Sequence, residues 1–395
     1  MKTILKTSII MWLLLAGGAA LAQSSIDSVL HSVEKNNGTL KALRQNLQAE
    51  ILDNKTGIYL PNPEVEFNYL WGTPGQIGNR TDFSVSQSFD IPTVTGMRSR
   101  AANAKNKRSE WQYKADRMTV LLEAKQYCID LIYFNALKKE LSQRMEHAGT
   151  IAAAYGKRLK NGDISRLEYN KSQLNLSALQ GEIMRLDIER AAILSQLRRL
   201  NGGIEVALNE DEFAEATLPL LFEDWYRQAA EKNPVLAYVR QEVEVHKQEV
   251  SLNKALRLPT FSAGYMSEKV VGEHFRGVTF GISIPLWENK NRIKQSKAAV
   301  QAAELREADS RQQFYSRLKG QYERALALQA AVQTYREALD KTDNAALLKK
   351  ALDAGEISLL DYMVEIGLYY DMLNQLLEAK RDYHKALADL ASVEL

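Results

Sequence analysis

Two hydrophobic periodicities divide this chain. Along Glu64–Trp71 the residues alternate, with Val65, Phe67, Tyr69 and Trp71 apolar. Asp82–Ile91 alternates too, setting Phe83, Val85, Phe89 and Ile91 against Asp82, Ser84, Ser86, Ser88 and Asp90. Val278, Phe280, Ile282 and Ile284 oppose Thr279, Gly281 and Ser283, and Pro259–Tyr265 is a weaker example. A period of two places every second side chain on one face, so each run predicts a strand with one apolar face. The strands fall at about 62–71, 80–91, 259–270 and 275–285, with turns within Gly72–Asn79 and near Val271–His274.

Elsewhere the apolar spacing is three, four or seven. Trp111, Ala115, Met118, Leu122, Ile129 and Ile132 form one such row, and Leu179, Ile183, Leu186, Ile193, Leu197 and Leu200 another. That spacing draws an apolar seam down a helix for a neighbouring helix to cover. The eight prolines leave two long gaps, 93–218 and everything after 285. Proline costs about 3 kcal/mol inside a helix, so these gaps are where long helices can run. A helix over 94–160 would be about 100 Å long, and its return partner spans 164–200.

Each long gap is broken once, by the same motif. Leu159-Lys-Asn-Gly162-Asp-Ile-Ser165-Arg-Leu167-Glu168-Tyr169 recurs as Leu352-Asp-Ala-Gly355-Glu-Ile-Ser358-Leu-Leu360-Asp361-Tyr362. The offset of 193 residues (352 − 159) also separates Pro92 from Pro285. Gly162 and Gly355 read as left-handed helix stops. Ser165 and Ser358 read as N-caps, with Glu168 and Asp361 three residues on to complete capping boxes. The chain therefore reads as a duplication: a first repeat over 23–200 with its tip at 160–168, a connector over 201–220, and a second repeat over 221–395 with its tip at 353–361. Each repeat runs helix, strand, strand, long helix, tip, helix. Glu34-Lys-Asn36 and Glu231-Lys-Asn233 punctuate the leading helices.

Composition narrows the setting. Residues 1–22 have a basic start, a short apolar run and an Ala-Leu-Ala end, the pattern of a secretory signal peptide cleaved after Ala22. Without Lys2 and Lys6 the 51 basic residues become 49, equal to the 49 acidic ones, so nothing electrostatic favours nucleic acid. Cys128 is the single cysteine, excluding an internal disulfide, and its apolar neighbours suit a buried thiol. No nucleophile elbow, phosphate-binding loop or Cys-x-x-Cys motif is present, so no enzyme and no cofactor is expected. Glu242 and His246 stand one helical turn apart, but with no third ligand nearby in sequence they read as surface residues.

Strands with one apolar, aromatic-rich face and one polar face suit an outer-membrane barrel with its apolar side outward. Four strands are too few to close, so other subunits are required. Two chains would give eight strands and three would give twelve. A secreted coiled-coil scaffold or adhesin-like protein is the competing reading; it accounts for the helices but not for hairpins placed identically in both halves.

The mature chain resembles the TolC-like outer-membrane efflux proteins, in its doubled helix–hairpin–helix plan and its two tip motifs. Ile284-Pro-Leu-Trp-Glu-Asn289-Lys-Asn-Arg292 resembles the strand-to-helix junction of the heavy-metal (CusC- and CzcC-like) branch. The resemblance implies a mainly α fold with transmembrane β, as a homotrimer whose twelve-stranded β-barrel continues into a periplasmic α-helical barrel. It also implies a place in the outer membrane of a Gram-negative bacterium, a periplasmic adaptor, and an inner-membrane pump of the RND type. The implied role is passive exit duct of a tripartite efflux system, with heavy-metal cations among the cargoes. Asp361 matches the first of two aspartates that line the periplasmic aperture in some family members. The second falls at Val364, with Glu365 beside it. Gly162, Ser165, Leu167, Glu168, Gly355, Ser358 and Leu360 are expected at the tips, where an adaptor would dock. Phe67, Tyr69, Trp71, Phe83, Phe89, Phe280 and Ile282 are expected to face lipid.

Overall fold

The computed structural model describes residues 25–73, 78–270, 272–287, 289–341 and 345–395. Residues 1–22, expected to be a signal peptide, Pro74–Ile77 of the first turn and Val271 of the second lie outside them. In chain order the elements are α1 (Ser25–Asn36), α2 (Gly38–Asn54), β1 (Glu64–Leu70), β2 (Arg80–Phe89), α3 (Pro92–Asn161) and α4 (Arg166–Leu200). They continue as α5 (Phe222–Lys232), α6 (Pro234–Ala255), β3 (Thr260–Val270), β4 (Glu273–Ser283), α7 (Arg292–Lys341), α8 (Ala345–Ala354) and α9 (Leu359–Leu390), closed by a 3-10 turn at Ala391–Glu394. The duplication is visible in this order, since each repeat places two short helices before its hairpin.

That pair of leading helices is one more break per repeat than the periodicity suggests. Asn233 caps α6, its side chain accepting from the N–H groups of Val235 and Leu236, and Pro234 supplies a first residue with no N–H to satisfy. Asn37 makes the equivalent break. Its Oδ1 accepts from Leu40 N at 2.9 Å and its Nδ2 donates to Leu200 O at 2.7 Å. Asn37, not Asn36, is thus the counterpart of Asn233, and both are buried. A buried amide costs little when all its polar atoms have partners.

The four strands form one antiparallel sheet in the order β1-β2-β3-β4. The second hairpin turns more tightly than expected: β3 runs to Val270 and β4 begins at Glu273, with Gly272 at φ 85°. The two repeats meet at β2 and β3, where Val85 opposes Tyr265 and Phe89 opposes Phe261. Phe67 opposes Phe83, and Phe261 opposes Ile282. Because facing residues share a side, this register collects Val65, Phe67, Phe83, Val85, Phe261, Tyr265, Phe280 and Ile282 on one face. The other face carries Ser84, Ser86, Ser262, Gly264, Thr279 and Gly281. A Cβ on Gly264 would lie 2.5 Å from Val85 O, and one on Gly281 would lie 2.5 Å from Ser262 Oγ, so this face is closely packed. Arg80 pairs there with Asp82 at 2.8 Å and Glu268 at 3.3 Å.

Two compact units emerge. One takes the chain up to Lys41, Met118–Phe222 and Leu318–Leu395; the other takes Ala42–Arg117 and Glu223–Arg317 and contains the sheet. Each repeat contributes to both. In the helical unit, Val33 of α1, Ala124, Cys128 and Leu131 of α3, Leu197 and Leu200 of α4 and Leu208 of the connector form a buried core. Of the expected seam on α3, Ala115, Ile129 and Ile132 are buried and Trp111, Met118 and Leu122 half-buried; the buried face is wider than expected, taking in Leu121, Ala124, Cys128 and Leu131. Burial pushes the Cys128 thiol up to about 12, which leaves it protonated and inert.

Candidate functional site at the helical tips

Both helix–turn–helix tips are built as the motif dictates. At the first, Gly162 (φ 81°) follows the last turn of α3. Gly162 N bonds Leu159 O at 3.1 Å and Asp163 N bonds Arg158 O at 2.9 Å. At the second, Gly355 (φ 76°) places its N–H 3.1 Å from Leu352 O, and Glu356 N lies 2.9 Å from Ala351 O. These bonds satisfy carbonyls that a helix end otherwise strands.

Ser165 then caps α4. Its Oγ accepts from Glu168 N at 3.2 Å, and its own N–H donates to Glu168 Oε2 at 2.9 Å. Ser358 caps α9 in the same way with Asp361, at 3.2 and 3.3 Å, and its hydroxyl donates to Asp361 Oδ2 at 2.6 Å. Both capping boxes are complete. The hydrogen bonds from Ser165, backbone first and then side chain, hold the Glu168 carboxyl below the usual range.

The two tips pack on each other. Tyr155 of α3 joins Leu352, Leu359, Tyr362 and Ile366 in one buried cluster, flanked by Ile164, Tyr169 and Ile357. The difference between the tips at Arg166 and Leu359 therefore has a packing cause: Leu359 is buried in this cluster while Arg166 is exposed.

Beyond the caps, Leu167, Leu360, Asp361 and Glu365 are exposed, as are Gly162, Ser165, Gly355 and Ser358; Glu168 is half-buried. Leu360, Val364 and Leu368 make a bare apolar stripe along α9, Leu368 being 63% exposed. The carboxylates of Asp361 and Glu365 run beside it at the same four-residue spacing. On α4, Leu167, Leu174 and Ile188 are exposed at multiples of seven, with Met184 next to them. Leu368, Leu174 and Ile188 were not singled out from the sequence, although their spacing is a readable signal. A stripe of this kind is left bare only where another helix covers it.

A buried basic side chain stands above the tips. Arg144 of α3 donates to Asn374 Oδ1 of α9 at 3.0 Å, and its guanidinium lies 4.1 Å from the Tyr370 ring centre. Burial lowers its pKa. Further along the same unit, the connector residues Asp211–Thr217 roof a cavity of about 1080 Å³ over Leu376, Leu377, Lys380 and His384. Phe213 stacks on the His384 ring at 4.5 Å. Burial, helped by Lys380, pushes that imidazole down to about 4.

On the sheet, the residues expected to face lipid are all exposed. Phe67, Tyr69, Phe83, Phe89, Phe280 and Ile282 share one face, Phe280 being 82% bare. Trp71 is exposed just past the end of β1. His246 faces Glu249 at 3.1 Å, and Lys105 reaches the same carboxylate at 3.3 Å, an ion-pair arrangement that leaves Glu242 out.

The second repeat, over residues 225–393, matches the family model described as outer membrane efflux protein. That match falls on the repeat that carries Asp361 and the second tip. Over that repeat the chain is similar to the outer-membrane efflux proteins. Among curated proteins it is 24% identical over 252 residues to the alkaline protease secretion protein AprF of Pseudomonas aeruginosa, over 59% of this chain and 52% of AprF. The chain thus spans about half the length of the curated relative it matches. Among solved structures, the CmeC outer membrane channel of Campylobacter jejuni aligns with a TM-score of 0.72 at 15% identity, over 94% of this chain and 85% of CmeC. CusC aligns with a TM-score of 0.71 at 14% identity, over 94% and 92%. At these identities the structures establish the fold: duplicated halves of mainly helical structure with a small sheet. The family's members are transport ducts, not enzymes.

Proposed function

We propose that this protein is the outer-membrane exit duct of a tripartite export system. In this reading three copies close their sheets into one twelve-stranded barrel, and their helices continue as a tunnel into the periplasm of a Gram-negative bacterium. One observation carries the reading: a four-stranded sheet with an aromatic, solvent-exposed face and two open edges, β1 and β4. Such a face is stable in lipid, and such edges are satisfied by pairing with the next copy. The secreted-scaffold alternative leaves both features without a use. The bare stripes on α4 and α9 serve as contacts between copies and, at the tips, as a seat for a periplasmic adaptor that couples the duct to an RND-type inner-membrane pump.

Three copies of Asp361 and Glu365 would ring the periplasmic mouth with carboxylates and favour cations there. This, with the Ile284–Arg292 junction, supports heavy-metal cations as cargo. Two experiments test the reading. Fractionation places the protein in the outer membrane, and recovery as a soluble periplasmic protein would end the barrel. Deleting the gene lowers tolerance of copper, silver, zinc or cobalt salts; unchanged tolerance to all of them alongside sensitivity to organic toxins would reassign the cargo.

A further inference from the structure

The apolar face of the sheet is too short for the membrane it faces. On β4 it runs from Val278 to Ile282, bounded above by Arg276 and His274, which share its side. Four residue steps make about 14 Å along a strand, and about 10 Å of depth at a tilt of about 45°. An outer-membrane barrel shows an apolar band about 25 Å tall. The remainder has to come from residues beyond the strands, and at the base of the sheet they are present.

Just past β4, Ile284, Leu286 and Trp287 are exposed, Trp287 by 79%. Before β1, Tyr59 and Leu60 are exposed as well. Asn291, at φ 69°, is the one non-glycine in the left-handed region among the described residues. Lys290 N bonds Trp287 O at 3.1 Å, and Asn289 Nδ2 donates to Leu256 O at 2.7 Å. The last bond brings Lys290 and Arg292 to the corner that carries Arg257. All three of these basic side chains are exposed, and none forms an ion pair among the described residues. At the foot of β2, Asp90 pairs with Arg98 at 2.6 Å.

An apolar foot continuous with the proposed lipid-facing surface, edged by cations that form no ion pair among the described residues, is complementary to one surface. We infer that Ile284, Leu286, Trp287, Lys290 and Arg292, with Arg257, form a collar that binds the headgroups of anionic phospholipids at the periplasmic face of the outer membrane. Trp287 and Leu286 lie at the acyl boundary, where indole rings are favoured. Arg257, Lys290 and Arg292 meet the lipid phosphates. The junction motif then sets the depth and anchorage of the barrel. This inference rests on the barrel reading above.

The test uses the full-length protein and the triple variant Arg257→Gln/Lys290→Gln/Arg292→Gln, each extracted from the outer membrane and incorporated into nanodiscs of phosphatidylglycerol with phosphatidylcholine. Bound lipid is counted by native mass spectrometry. Each basic side chain near an anionic surface is worth about fivefold, so the wild type should enrich phosphatidylglycerol at least about tenfold over the variant. Half-molar salt should erase the difference. Equal enrichment by both proteins would overturn the collar, as would displacement of the lipid by millimolar inorganic phosphate. A Trp287→Ala variant, which keeps every charge, should retain the preference while losing bound lipid in total; loss of the preference itself would also overturn the assignment. Recovery of the wild type as a soluble protein would remove the barrel and the collar together. Outer-membrane recovery without lipid preference removes only the collar.

Discussion

Asp361 has two assignments that one pair of substitutions separates. Its carboxylate accepts the Ser358 N–H at 3.3 Å and the Ser358 hydroxyl at 2.6 Å, so it holds the start of α9. In the trimer it would also contribute one of three charges to the mouth. Asp361→Ala removes both roles, whereas Ser358→Ala breaks the same capping box and leaves the carboxylate. Either change costs the cap about 1 kcal/mol. Because the site is exposed and one turn long, the effect is local: faster amide exchange over 355–362 in both variants, with a shift in melting temperature of no more than about 2 °C. The charge effect differs between them. Three carboxylates about 10 Å from an ion in water-like surroundings contribute about 1.2 kcal/mol, or about eightfold in cation preference. Single-channel reversal potentials in a salt gradient across planar bilayers read that ratio. Asp361→Ala should lose most of the preference and Ser358→Ala should keep it. Equal loss in both would assign the effect to tip geometry. No loss in Asp361→Ala would remove this residue from the pore.

Other outcomes follow from the packing. The His384 imidazole is held neutral, with its pKa down to about 4 against an ordinary value near 6.5. The unfolded chain therefore binds the extra proton first as pH falls, and stability contributed at neutral pH is lost between about 6.5 and 4, on the order of 1–3 kcal/mol. Melting curves from pH 7 to 4.5 should fall more steeply for the wild type than for His384→Phe, and parallel curves would refute the assignment. Gly355→Ala meets no atom within 4 Å but must keep φ 76°, so it should cost about 1–2 kcal/mol from backbone strain alone; Gly355→Asn should recover part of it in the same denaturation assay. Arg144→Met exchanges a desolvated charge for apolar volume at the price of the Asn374 bond and the Tyr370 contact, so its net effect on stability should be within about 1.5 kcal/mol; a loss above about 3 kcal/mol would show that the charge itself is needed. Phe280→Lys places a charge on the face proposed to meet lipid, at a cost of about 2–4 kcal/mol there, and should sharply reduce outer-membrane yield without altering the helical circular dichroism of what is recovered.

Much of this architecture is written locally. Alternation in Val65–Tyr69 and Val278–Ile284, the proline gaps and the Gly–x–x–Ser motifs each encode one element without reference to the rest of the chain, so strands, arms and tips were readable. Asn233-Pro234 was also a readable helix start, an N-cap followed by proline, and its partner Asn37 could have been found from it. What could not be read depends on contacts across the sequence. The widening of the α3 seam to include Leu121 and Cys128 is set by α1 and by Leu208 of the connector. The packing of Tyr155 on Leu359 is set by the meeting of the two tips. The connector has no periodicity, so nothing in its composition announces that Phe213 covers His384.

The pairing of β2 with β3 also constrains how the chain is made. In the outer-membrane duct proposed above, β2 would find its neighbour only after the entire long arm α3, its return helix, the connector and two further helices had left the ribosome and crossed the inner membrane. Until then the first hairpin carries Phe67, Phe83 and Phe89 uncovered, with an unpaired edge beside them. The seam between the repeats is therefore the slow, high-contact-order event in folding, and it occurs where there is no bilayer yet to shield aromatic side chains. Periplasmic holdases that bind aromatic-rich, edge-exposed segments should engage the first hairpin ahead of the second, which can pair as soon as it is exported.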